Sequence, residues 1–142
     1  MTQLIFFNNV VDGIKKFHVC MPTGEIPIND VLNKDIPKTA TEVQIVDRSM
    51  LLVNDMDFNN AFVWDGSQLV VNIDKAKEVT KNRLRQEREP LLQAQDVAFQ
   101  RALETNSDTS KIVAEKQRLR DITKLADSVS TLDELRALKV GA

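Results

Sequence analysis

The sequence predicts an α+β protein, a small N-terminal β-rich module followed by a long C-terminal helical hairpin. Three observations lead there. Apolar residues alternate as in strands up to Ile73 and then take helical spacing from Asp74 onward. Every phenylalanine except Phe99, every proline except Pro90 and the single tryptophan lie in the first part. Charge shifts as well: residues 1–73 carry five Lys/Arg against nine Asp/Glu, and residues 74–142 carry fourteen against twelve. The expected division is therefore a β-rich module at residues 1–73 and a helical hairpin or coiled-coil-like arm at residues 74–142, joined without a linker.

In the module, Leu4–Phe7 is a compact apolar run bounded by Asn8-Asn9. After a Val-Asp-Gly turn at Val11–Gly13, Ile14–Cys20 completes a hairpin. Two prolines and a glycine make the next stretch, around Pro22 and Pro27, a loop. "INDVLNKD" predicts about two helical turns with Ile28, Val31 and Leu32 on one face, ended by Pro37. "TEVQIVD" alternates, with Val43 and Ile45 on one face and Glu42 and Gln44 on the other. Ala61–Trp64 and Leu69–Ile73 flank an Asp65-Gly66 turn, because glycine accepts the positive φ such turns require.

The arm should begin with Asp74 as a cap and run as helix from Lys75 to about Glu104. Pro90 interrupts it, predicting a kink or two abutting helices. "TNSDT" forms the turn, with Asp108 as a capping candidate, and a second helix spans about Ser110 to Ala126. Thr131 and Glu134 have capping-box spacing before a short last helix. Leu84, Leu91 and Ala98 recur every seven residues, and Leu119 and Ile122 continue the apolar face on the second helix. These five residues form the expected helix seam. The stripe is thin between Thr80 and Glu89, so self-association through the helices is expected, making the chain a homo-oligomer.

Candidate chemistry is sparse. His18 and Cys20 share a strand face, but chance alternation produces such a pair and no third residue orients it. A zinc shell would need a second pair of ligands. Asp55, Asp57 and Asp65 lack the order of a calcium loop and read as turn residues. Four glycines leave no phosphate-cradling loop. The basic residues Lys81, Arg83, Arg85, Arg88, Arg118 and Arg120 invite a nucleic-acid reading, but the interleaved Glu78, Glu87 and Glu89 favour a solvated helix face. A net charge of -2 also argues against nucleic-acid coating. The expectations are no catalytic residue, no metal, no cofactor, no nucleic-acid partner and no membrane partner. No stretch nears the ~18 apolar residues of a span, and the opening residues lack a signal-peptide pattern.

The run from "IVDRSM" through "FNNAFVWDG", "RLRQEREPLL" and "KQRLRDIT" to "TLDELRAL" resembles small tail proteins of tailed bacteriophages. Its last part is similar to the C-terminal helices of tail fibre assembly proteins. The resemblance covers residues 45–139 and leaves residues 1–44 unmatched. It implies protein binding: a chaperone or adaptor that holds a tail fibre protein in the host cytoplasm during assembly. Phe58, Phe62 and Trp64 are then the candidate partner-binding residues, since aromatic groups dominate binding hot spots; the bland alternative is that they fill the module's core. A second function is a minor structural component retained in the virion tail, oligomerising through its C-terminal helices.

Overall fold

Asp12 and Gly13, at φ 53° and 77°, join the first two strands through a two-residue turn whose positive φ values match the twist of a hairpin. In the computed structural model, which describes residues 3–141, β1 spans Gln3–Val11 and β2 spans Ile14–Cys20. The helix α1 covers Ile28–Lys34, and β3 covers Thr41–Asp47. These strands form one antiparallel sheet in the order β2-β1-β3. After 3-10 segments at Arg48–Met50 and Val53–Ala61, β4 (Phe62–Trp64) and β5 (Leu69–Val71) make a separate hairpin. The chain divides into two units between Asn72 and Ile73.

The unbroken run Leu4–Phe7 makes sense because β1 is central and buried on both faces. Leu4 and Phe6 point to one side, into a core with Val46, Leu51, Phe62 and Leu69. Ile5 and Phe7 point to the other, where Val31 of α1 and Ile36 cover them. Asn8 does not end the strand. The extra length follows from Glu42, which sits at φ 54° in a β-bulge opposite Phe6–Asn8. Its carboxylate accepts from the Asn8 side chain and from Lys15 Nζ at 3.0 Å, tying all three strands.

β3 differs from expectation in what it buries. Val43 and Ile45 remain 39% and 42% exposed, while Val46, facing the opposite side, reaches the core. Apolar partners gather around β1 and β2 on the α1 side, and that cover stops short of the edge strand. The second hairpin has a four-residue connection, Asp65–Gln68, longer than the expected Asp-Gly turn. Asp65 organises it by accepting from the amides of Ser67 and Gln68, both at 2.8 Å.

In the second unit, α2 is a single helix of 32 residues, Ile73–Glu104, and Asp74 lies in its first turn, where a negative charge suits the helix dipole. It continues through Pro90 without breaking into two. Pro90 and Gln86 are both exposed, and proline there leaves the Gln86 carbonyl without its usual amide partner. The helix α3 (Ser110–Asp121) is followed by a 3-10 segment at Ile122–Ser128 and by α4 at Leu132–Ala137. Asp108 accepts from the Ser110 amide at 3.0 Å, and Thr131 Oγ1 from the Glu134 amide at 3.2 Å. Leu84, Leu119, Ile122 and Val140 form the core, with Leu92 and Leu138 against it.

Candidate functional site

The aromatic residues expected to touch a partner lie inside the first unit. Phe58 and Phe62 are 4% and 1% exposed. Trp64 is half-buried, with its ring edge-on to Phe6 at 5.9 Å. Burial corrects the partner-binding reading for Phe58 and Phe62, which pack inside the unit, and leaves Trp64 with one part of its ring in the core and one part exposed. The three-stranded sheet needs a second layer over Leu4 and Phe6, and Phe62 and Trp64 help supply it.

The expected seam is also revised. Leu84, Leu119 and Ile122 are buried together, but Leu91 is 41% exposed and Ala98 only half-buried. The buried line on α2 instead runs Ala76, Thr80, Leu84 and, far along the helix, Ala102. Ala76, Thr80 and Leu84 are four residues apart, and the same four-residue row runs on to Leu92 rather than to Leu91, so packing follows that row and not a seven-residue seam. Small side chains at Ala76, Thr80 and Ala126 are fully enclosed in this unit, and Thr80 satisfies its hydroxyl on the Ala76 carbonyl at 3.0 Å.

The basic residues have a specific use that their spacing did not disclose. Arg83 donates to the carbonyls of Leu135 and Leu138 at 3.1 and 2.8 Å, and to Glu87 at 3.0 Å. Arg88 donates to the carbonyls of Leu119 and Arg120 at 3.2 and 2.8 Å, near the end of α3. Arg118 spans Glu115 and the Val140 carbonyl. Helix C-termini leave carbonyls without internal partners, and a planar guanidinium can bridge two of them. These arginines are staples of the helical unit. Arg83→Lys should therefore lower its stability by roughly 1.5–3 kcal/mol despite keeping the charge, because an ammonium cannot reproduce the fork. Urea unfolding followed by circular dichroism at 222 nm reads this; an unchanged midpoint would contradict the staple.

His18 lies flat against Phe7, with ring centroids 5.1 Å apart, and its Nε2 is buried without a hydrogen-bond partner. Burial, and then the nearby Asp35, push the Cys20 thiol above its ordinary value. That is opposite to what an activated nucleophile requires. Among the described residues, no three His, Cys, Asp or Glu side chains converge as a metal shell, and no helix is long and apolar enough to cross a membrane.

No family model, curated protein or solved structure matches this chain.

Several carboxylates hold local structure. Lys15, then Asn8, hold Glu42 below its ordinary value; the side chain and amide of Ser49 do this for Asp47, and the amides of Ser67 and Gln68 for Asp65. A lowered folded value contributes stability above the unfolded one, and the contribution is lost as pH falls through the folded value. The melting temperature should thus fall as pH drops below the ordinary 4.5 of Glu42 and 3.8 of Asp47 and Asp65. Asp65→Asn should show a smaller fall between neutral and acidic buffer than the parent; an equal fall would remove Asp65 from the account.

The surface of the first unit includes several uncovered apolar side chains. At the β1–β2 turn, Val10 and Ile14 are 62% and 60% exposed, and β3 adds Val43 and Ile45. These groups offer contact area and no reactive chemistry. They are the candidate contact residues that sequence reasoning missed, since alternation identifies an apolar face without saying what covers it.

Proposed function

We propose that this chain is a non-enzymatic chaperone or adaptor in phage tail assembly, binding a tail fibre protein in the host cytoplasm. One observation carries the reading. The stretches behind the resemblance, "RLRQEREPLL", "KQRLRDIT" and "TLDELRAL", meet in one interior: Arg83, Leu84, Arg88, Leu119, Ile122 and Leu135 are joined by burial or by arginine-to-carbonyl bonds. A motif whose spaced parts close on one another describes a folded module, which supports treating the resemblance as a whole. The contact surface in this reading moves from Phe58, Phe62 and Trp64 to exposed apolar groups such as Val10 and Ile14.

Co-expression with the neighbouring tail fibre gene is the test. The fibre should be soluble and trimeric with this protein and aggregated without it. Equal fibre recovery in both cases ends the chaperone reading. Mass spectrometry of purified particles addresses the virion-component alternative: stoichiometric retention would favour a structural part over a released factor.

A further inference from the structure

The sheet of the first unit has two outer strands, and they are guarded differently. β2 carries Lys15 and Lys16 in its exposed half. β3 contains neither lysine nor proline, and all its residues except Val46 are exposed. Natural sheets protect open edges with lysine, proline, bulges or short length, because an open row of N–H and C=O groups invites another strand. The protections on β3 are the carboxylates of Glu42 and Asp47 and the bulge at Glu42 and Val43, which leave Gln44–Asp47 as a regular stretch paired only with β1.

We propose that this stretch pairs with the same stretch of a second copy, antiparallel about a two-fold axis through Ile45. The sequence of the edge suits itself. Ile45 lies opposite the partner's Ile45, Gln44 opposite the partner's Val46, and Val43 opposite the partner's Asp47, so no like charges face each other. The pairing is centred on the regular ladder, and only its outermost pair, Val43 with the partner's Asp47, reaches the bulge. Val43 and Ile45, exposed in one copy, then form an apolar row beside the axis. The two three-stranded sheets become one six-stranded sheet, and the isologous contact closes at a dimer. This route to association differs from a helical seam, since the helical unit already encloses Leu84, Leu119 and Ile122.

The contact is small, so the dimer is weak and concentration-dependent. Light scattering of the full chain should show its mass rising toward that of a dimer between about 10 µM and about 1 mM, the range weak contacts occupy. Ile45→Lys sets two ammonium groups on the axis and should abolish the rise while the circular dichroism spectrum is unchanged. In a Cys20→Ala background, Ile45→Cys should form an intermolecular disulfide under mild oxidation, because directly opposed residues have Cα atoms about 4.5–5.5 Å apart. Val53→Cys, at a 67% exposed position outside β3, should cross-link far more slowly. A chain that stays monomeric throughout overturns the proposal, and so do equal cross-linking rates or a dimer that survives Ile45→Lys. Slowed hydrogen exchange of β3 amides only when tail fibre protein is added assigns the edge to that partner and equally overturns self-pairing.

Discussion

Phe6→Ala should destabilise the first unit by about 3–5 kcal/mol, the usual cost of emptying a buried aromatic position. Phe6 is 0% exposed on the central strand, and its ring meets Phe17 edge-on at 5.2 Å and Trp64 at 5.9 Å. At about 0.05–0.15 kcal/mol per residue, a unit this small holds roughly 4–11 kcal/mol in total, so the loss threatens the fold itself. Neighbouring rings cannot close the gap, because Leu4 and Phe62 are already enclosed on other sides. Phe6→Leu, which retains most of the volume, should cost much less. Trp64 is the only tryptophan and packs on this ring, so its emission reports the unit directly. We expect the urea midpoint of its red shift to drop sharply in Phe6→Ala; an unmoved midpoint would refute the two-sided core.

Leu84→Ala and Leu91→Ala should part company in the helical unit. Alanine favours helix, so any loss in either variant measures packing. Leu84 is fully buried among Leu119, Ile122 and Val140, and its truncation should cost about 2–5 kcal/mol. Leu91 is 41% exposed, and its truncation should stay within about 1 kcal/mol. A heptad seam would make the two losses similar. Thermal unfolding followed at 222 nm therefore decides between a seven-residue seam and the observed face.

The features legible in the order of residues are those encoded over a short span. Asp12-Gly13 and Thr131 with Glu134 do their local work as turn and cap, since positive φ and a free amide three residues away are local problems. The change from strand to helix at Ile73 is equally visible, because period and composition change together. The less legible features are those in which distant segments choose partners. Arg83 finds carbonyls 52 and 55 residues away, and nothing in its neighbourhood distinguishes it from the exposed Arg85. Phe62 and Trp64 carry the residue types of a binding surface, yet the sheet needed them as its second layer.

An α+β chain, the Asp12-Gly13 turn and the Thr131 cap follow from the amino-acid order, whereas the Asp65-Gly66 turn proved longer and Asp74 lies inside the helix it was expected to cap. Packing between distant segments settled the rest: which leucines face inward, which arginines bind carbonyls, and that β3 lies at an open edge with Val43 and Ile45 uncovered. Dihedral preference and hydrogen-bond capping act within a turn, whereas burial depends on which distant element packs over a residue and excludes water.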